Sequence, residues 1–177
     1  MKPYEINLND YSVALAEDGA QKDCIVSMPG QSLIVEAADE VPLFLGVKGK
    51  LLAGKAYAIP ESIDELPLKD CKEIIEKHQL DPKSVQVYLG PCLTFAHTEE
   101  KEEVLARVNK NGYGLACKGS MGKHYLDHQL LVALQMRKLG IPMANIHQSE
   151  YDTLDSKGLK SQKGGDKEKN RFLATLH

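Results

Sequence analysis

The sequence lacks the features that mark several common classes of protein. Its four cysteines form no CxxC pair, which argues against a structural zinc finger; they are Cys24, Cys71, Cys92 and Cys117. No apolar run approaches the length of a membrane span, and the N-terminus has no signal-peptide hydrophobic segment. The net charge of −3 gives no reason to expect nucleic acid as a partner. These absences favour a cytoplasmic protein with free thiols and with no membrane or nucleic-acid partner.

The remaining composition is that of one globular domain. The 177 residues are 42% hydrophobic and 27% charged, and they contain no internal repeat. Strand and helix patterns alternate along much of the chain, which predicts the α/β class, with mixed α and β elements in a single domain spanning 1–177. We expect mixed β-sheets flanked by helices. Residues 155–170 are rich in Lys, Gly and Ser and are predicted to form a mobile loop.

The clearest strand signal lies in residues 37–58, AADEVPLFLGVKGKLLAGKAYA. Two apolar runs, Val41 to Val47 and Leu51 to Ala58, are joined by a Lys/Gly turn, which predicts a β-hairpin. Further strands are predicted in Ser12 to Leu15 at a sheet edge, on both sides of the Pro29-Gly30 turn, and in SVQVYLG, IPMANIHQ and RFLATL.

Three helices are predicted from caps and periodicity. Ser62 and Glu65 have capping-box spacing ahead of a helix from about Leu66 to His78. TEEKEEVLARV is typical of a helix with an acidic N-terminal end, supplied by Glu99, Glu100, Glu102 and Glu103. YLDHQLLVALQMRKLG is the strongest helix signal, with Leu130, Leu131, Leu134 and Leu139 on its inner side and Gly140 as the stop.

Several blocks of the sequence occur in the order found in one known family. A strand-turn-strand block ending in Ala-Asp-Cys-x-Pro is similar to DCIVSMPGQSLIVEAADEVPLFL, and a His-Ala-Gly-Trp-Arg-Gly block is matched by LLAGKAY. Later blocks are similar to VYLGPCLTFAH, YLDHQLLVALQMRKLGIPMANIH and KNRFLATL. The chain thus resembles the laccase-domain family, also called the multicopper polyphenol oxidase or purine nucleoside phosphorylase (YfiH-like) family. The resemblance runs from about Asp23 to the end and implies that family's fold, with residues 1–22 as a divergent, shortened N-terminus.

The resemblance implies a metal site whose ligands are replaced in this chain. The family holds zinc or copper with two His and one Cys, which leaves one coordination position open for a water or phosphate oxygen. The Cys is matched here by Glu40 and one His by Leu52, and residues 1–22 contain no His that could match the other. The family's Trp-Arg is matched by Lys55-Ala56, so an anion-binding guanidinium is also lost. We expect neither a metal site nor a cofactor.

Four residues are candidates for a rebuilt site. Cys92 and His97 lie within GPCLTFAH, and the fold type is shared with thiol-dependent deamidases, so the pair could catalyse a nucleophilic reaction. A small buried Cys at a strand end is the commoner explanation. Glu40 and Lys55 are candidates for substrate binding, against the alternatives of an exposed acid and a solvated lysine.

Two other groups of polar residues have simpler explanations. Asp127 could accept a hydrogen bond from the ring of His124 or His128, or it could simply cap the following helix. Five lysines could attract a phosphate, although nearby acids partly cancel their charge, and a solvated mobile loop explains them more simply; they are Lys157, Lys160, Lys163, Lys167 and Lys169.

Two hypotheses for function follow. In the first, the chain is a divergent member that has lost the family's His/Cys metal site and its catalysis, and acts as a binding or interaction protein. In the alternative, it is an enzyme of purine nucleoside phosphorolysis or deamination, with a purine nucleoside or phosphate as ligand. The enzyme requires Glu40, Lys55 and either Cys92 or His97 to converge in one pocket. Phenol oxidation is disfavoured because a multicopper site needs many His, and the six here are scattered.

Overall fold

The computed structural model describes residues 4–16 and 25–177; Cys24 lies outside these ranges. Eleven strands are found in this part: β1 Ile6–Asn7, β2 Tyr11–Leu15, β3 Ile25–Val26, β4 Ser32–Ala37, β5 Val41–Val47, β6 Leu51–Tyr57, β7 Gln86–Leu89, β8 Cys117–Ser120, β9 Lys123–Leu126, β10 Ile146–Gln148 and β11 Asn170–Leu176. The same part contains four α-helices: α1 Ile59–Ile63, α2 Leu66–Lys77, α3 Glu102–Lys110 and α4 His128–Lys138.

Two larger sheets and one hairpin organise the strands. An antiparallel sheet has the order β1-β2-β11-β4, and a mixed sheet has the order β10-β7-β5-β6-β3, in which only the β10–β7 pairing is parallel. Strands β8 and β9 form a separate hairpin that the sequence analysis did not predict. The fold class is therefore a mixed α and β single domain, as predicted.

The five-stranded sheet is covered on both faces. One face packs on the four-stranded sheet through an apolar cluster that includes Tyr11, Val35, Leu52 and Phe172. The other face packs on α2 and α4 through a second cluster. All seven residues of β5 are buried, which explains why VPLFLGV reads as a continuous apolar run rather than an alternating one. Across the described residues, no helix is long and apolar enough to cross a membrane.

Most predicted strands are confirmed, with one correction to their arrangement. The hairpin forms between β5 and β6, and the strands predicted in SVQVYLG, IPMANIHQ and RFLATL form as β7, β10 and β11. The strand at Ser12 to Leu15 also forms, but it is not at a sheet edge because β1 pairs with Ser12 and Val13. The strands on either side of Pro29-Gly30 join different sheets, so this turn connects two layers.

The predicted helices form, although the capping box assigned to α2 is wrong. The hydroxyl of Ser62 instead pairs with His128, and Glu65 is the N-cap of α2 at a φ of 59° without a side-chain cap bond. A carboxylate does reach back one helix earlier, where Glu61 accepts a hydrogen bond from the Ala58 N–H at 2.9 Å. The additional short helix α1 therefore has the N-terminal cap that the sequence pattern places four residues later.

The two later helices are shorter than their sequence patterns. Helix α3 begins at Glu102, so Glu99 and Glu100 precede it. In α4, Asp127 is the N-cap and accepts a hydrogen bond from Leu130 N at 3.0 Å. Of the four leucines expected on the inner side of α4, only Leu131 is fully buried. The other buried residues of α4 are His128, Val132, Ala133, Gln135 and Met136.

Residues 155–169 contain neither helix nor strand but are held by hydrogen bonds. Lys160 N donates to Asn170 Oδ1 at 2.7 Å, and Asn170 Nδ2 donates to the Lys160 carbonyl at 2.9 Å. Ser161 N donates to Asp166 Oδ2 at 2.8 Å. The mobility predicted for this segment stays a prediction.

Candidate functional site

Glu40 lies just before β5 and is engaged by the segment near the C-terminus. Its carboxylate accepts hydrogen bonds from Lys169 Nζ at 2.7 Å and from Ala38 N at 2.8 Å. Partial burial opposes the charge, but the hydrogen bond from Lys169 and those from the backbone outweigh it, so the pKa of Glu40 lies below its usual value. Glu40 is therefore a charged, internally paired acid.

Leu52, the position matched to a family metal ligand, lies at the opposite end of the hairpin from Glu40. Val41 pairs with Tyr57, whereas Leu52 pairs with Gly46. Gly46, the pairing partner of Leu52, lies six residues along the extended chain from Glu40, which corresponds to roughly 20 Å. Leu52 is also fully buried between the two sheets. The two positions that the resemblance matched to metal ligands therefore cannot contact one ion in this backbone.

Lys55 lies on the helix-covered side of β6 and lines a groove against α2. Its Nζ lies 2.9 Å from Asp70 Oδ2, and the Tyr57 hydroxyl donates to the same oxygen at 2.8 Å. The groove has a volume of about 290 Å³ and an apolar floor. Its lining consists of Ile25, Leu43, Leu45, Ala53, Gly54, Lys55, Tyr57, Asp70, Cys71, Glu73, Ile74, Lys77 and His78. Neither Glu40 nor Cys92 nor His97 lines it.

Cys92 is placed as a buried thiol. It is only 3% exposed, and its Sγ donates to the Leu93 carbonyl at 3.4 Å. Burial raises the pKa of the Cys92 thiol, and the carboxylates of Asp127, Asp152 and Asp39 raise it further. A reactive cysteine needs the opposite environment, in which positive charge and access stabilise the thiolate.

His97 is oriented by a buried carboxylate that no sequence pattern predicts. Its Nδ1 lies 2.8 Å from Asp152 Oδ2. Burial raises the pKa of Asp152, but hydrogen bonds from Thr94, His97 and Leu154 outweigh that effect and lower the pKa to about 2. The ionised carboxylate carries no proton, so His97 Nδ1 must be the donor. No sequence signal marked Asp152, because it lies 55 positions from His97.

Two loops meet around this histidine. Thr153 N donates to the Cys92 carbonyl at 3.0 Å, and the Thr153 hydroxyl donates to Asp39 Oδ1 at 2.8 Å. Lys163 N donates to Asp39 Oδ2 at 2.8 Å, and Lys163 Nζ donates to the His97 carbonyl at 2.5 Å. Cys92 and His97 thus share one loop, but within 4–16 and 25–177 no hydrogen bond joins their side chains.

The polar residues at the start of α4 have structural partners. His128 is buried, and its Nε2 lies 2.7 Å from the Ser62 Oγ. Burial lowers the pKa of His128 to about 3. His124 is part of β9, and Asp127 caps α4. Ser62, Asp127 and His128 therefore stabilise the helices, and the buried ring of His128 is not accessible to a ligand.

The four predicted site residues form separate groups. Lys55 pairs with Asp70, Glu40 pairs with Lys169, and Cys92 and His97 lie on a third loop. The enzyme hypothesis requires Glu40, Lys55 and either Cys92 or His97 to converge in one pocket. The contacts of the described residues do not bring these side chains together. What the structure adds is a polar cluster built on His97.

The sequence matches one family model, described as multi-copper polyphenol oxidoreductase laccase, over residues 9–161. The chain belongs to this family. No curated protein matches it.

Solved structures share its fold at low sequence identity. The hypothetical protein YfiH of Bacillus licheniformis superposes with a TM-score of 0.76 at 15% identity, over 86% of this chain and 60% of that one. YlmD from Geobacillus stearothermophilus gives a TM-score of 0.73 at 18% identity, over 86% and 58%. Neisseria meningitidis protein NMB0706 gives 0.68 at 18% identity, over 82% and 60%. This laccase-family chain thus spans about three fifths of the length of each of these structures.

Proposed function

We propose that this chain is a laccase-family protein that does not use the family's His/Cys metal site and acts by binding. The observation that carries the proposal is the state of the two matched positions. Glu40 is paired with Lys169, and Leu52 is buried in the core at the far end of the hairpin. Neither side chain is available to ligate an ion at a common point.

The groove beside Lys55 is the proposed binding surface. Its floor is apolar and its rim is charged, which is the usual composition of a small-molecule site, although its volume lies near the lower end of such sites. Asp70 already compensates the charge of Lys55, which weakens the attraction of this lysine for free phosphate. A purine nucleoside, which offers an aromatic face together with polar edges, suits this groove better than phosphate does.

Catalysis on purine nucleosides is the second candidate, and one observation favours it. His97 donates to the buried carboxylate of Asp152, and such a pair can hold Nε2 ready as a base. The buried, protonated thiol of Cys92 weighs against a nucleophilic route. Deamination or phosphorolysis would therefore depend on His97 rather than on Cys92.

Binding and turnover can be measured with the same ligands. The full chain is titrated with adenosine, inosine and phosphate by calorimetry, and the products of long incubations with and without phosphate are separated by chromatography. We expect nucleoside binding without turnover, weakened by Lys55→Ala and unchanged by Lys110→Ala, which alters an exposed lysine on α3. Absence of nucleoside binding would refute the proposed ligand, and turnover lost in His97→Gln would establish the enzyme instead.

We further propose a cytoplasmic location, which the free thiols of Cys71, Cys92 and Cys117 support. Cell fractionation with an antibody against the chain tests it, and recovery in an exported fraction would contradict it.

A further inference from the structure

The polar cluster on His97 has the arrangement of a metal-binding histidine with its supporting carboxylate. Ligand atoms of His97, Asp152 and Asp155 all lie within 4.8 Å of one another. The two loops that carry them are tied together by the Thr153 N–H on the Cys92 carbonyl, so the backbone fixes their approach. We propose that this cluster binds one divalent transition-metal cation, with His97 Nε2 and Asp155 as direct ligands and Asp152 as the positioning residue.

Asp152 fixes which nitrogen of His97 is free. Its Oδ2 accepts from Thr94 N, from the Thr94 hydroxyl and from His97 Nδ1. Its Oδ1 accepts from Leu154 N at 2.8 Å. A carboxylate surrounded by donors must receive the Nδ1 proton, so the lone pair of the imidazole, when the ring is neutral, lies on Nε2. Metal-binding histidines commonly donate their second ring N–H to a carboxylate in this way.

Asp155 faces this lone pair at a distance that suits a shared cation. Its Oδ2 lies 3.6 Å from His97 Nε2, which is too long for a hydrogen bond. Zinc bonds of about 2.0–2.2 Å to nitrogen and oxygen, at a tetrahedral angle, separate the two ligand atoms by roughly 3.4 Å. When the imidazole is neutral, both facing atoms are acceptors, and a cation between them would bind to both.

The surroundings favour a first-row transition metal with water in its remaining positions. The side chain of Asp155 is 68% exposed, so solvent reaches the gap. An imidazole nitrogen selects zinc-like ions over magnesium and calcium, which prefer oxygen ligands. Glu40, the position matched to the family's cysteine, is held by Lys169 and is not part of this cluster. The cluster of His97, Asp152 and Asp155 includes neither Glu40 nor Leu52, and none of its residues lines the groove beside Lys55.

A calorimetric titration of the full chain with zinc alone tests the inference. We expect one zinc ion per chain, with binding unaffected by excess magnesium. Asp155→Asn and His97→Gln should each weaken it by at least about tenfold. His78→Gln serves as the matched control, because His78 is exposed and lines the other groove.

Each outcome of the titration decides the inference. Loss of affinity in both cluster variants, with His78→Gln unchanged, supports it. Absence of zinc binding to the wild-type chain overturns it. Zinc binding that persists in Asp155→Asn and His97→Gln also overturns it, since the metal would then be held elsewhere, for example by thiols. Because the side chain of Asp155 is exposed, Asp155→Asn should fold and remains informative if His97→Gln does not.

Discussion

His128 and Ser62 form a buried hydrogen bond that joins α4 to α1. Nε2 of His128 lies 2.7 Å from the Ser62 Oγ, and solvent is almost completely excluded from both residues. Gln135 Nε2 donates to the Ser62 carbonyl at 2.7 Å and strengthens the same junction. Burial lowers the pKa of His128 from 6.5 to about 3, so the imidazole is neutral at physiological pH.

We expect the free energy of unfolding to decrease as the pH falls from 6.5 toward about 3. The pKa of His128 is lower in the folded chain than in the unfolded chain, so between these values the unfolded chain binds more protons at this residue and acid favours unfolding. The effect amounts to at most about 1.4 kcal/mol per pH unit, and above the window the full stability is present. Denaturant unfolding curves recorded across this pH range measure it.

His128→Gln provides the test of the cause, because a glutamine amide can still hydrogen-bond to Ser62 but does not titrate. Its unfolding free energy should depend less steeply on pH than that of the wild-type chain. His78→Gln removes an exposed histidine and should leave the slope unchanged. Equal slopes in His128→Gln and the wild-type chain would show that the buried imidazole is not the source.

Gly54→Ala is expected to destabilise the packing between the two sheets by about 1–3 kcal/mol. A Cβ at Gly54 would lie 2.7 Å from Val35 Cγ2 and 2.9 Å from Leu33 Cδ1, both in the packed interface. At Gly119, in contrast, a Cβ meets nothing nearer than 4.0 Å, so Gly119→Ala is the control and should change stability little. Urea midpoints of the two variants measure the difference, and a Gly54→Ala midpoint equal to that of the wild type would contradict the close packing.

Local sequence patterns were sufficient for most elements of the fold. The β5–β6 hairpin was predictable because its apolar runs and its turn are neighbours in the sequence. The layer arrangement was not, because it depends on long-range pairing: β11 inserts between β2 and β4, which are separated from it by more than a hundred residues. The separation of Leu52 from Glu40 was not predictable for a related reason, since a block alignment carries no information on which end of the hairpin a residue occupies.

The candidate site was predicted only in part. The position of His97 near Cys92 in the sequence marks it as a candidate, whereas the partner that orients it is Asp152, on a distant loop. Burial also gives the two residues different chemistry. It raises the pKa of the Cys92 thiol, whereas the ring of His97 remains partly accessible to solvent. Proximity in sequence identified the right loop, but the chemistry of that loop depends on carboxylates contributed from elsewhere.

Cys92 should react slowly with alkylating reagents in the folded protein. It is almost fully buried and its pKa is raised, first by burial and then by three carboxylates. Cys117 is partly exposed and should be modified faster, although burial raises its pKa as well. Iodoacetamide labelling at neutral pH, followed by peptide mass spectrometry, gives the rate at each cysteine. Labelling of Cys92 faster than Cys117 would contradict this environment and would restore the thiol as a candidate nucleophile.

Asp152→Asn should cost more stability than Asp155→Asn, although both remove one carboxylate from the same loop. Asp152 is buried and accepts from Thr94 N, the Thr94 hydroxyl and His97 Nδ1 on one oxygen. An asparagine in its place carries no charge and has an NH₂ group where one of the acceptor oxygens was. Buried donors then lose their acceptor, which should lower the free energy of unfolding by about 2 kcal/mol. Asp155 is exposed, so its substitution should change stability by less than about 0.5 kcal/mol. Urea unfolding of the two variants under identical conditions compares them directly, and equal midpoints would mean that Asp152 does not hold the two loops together.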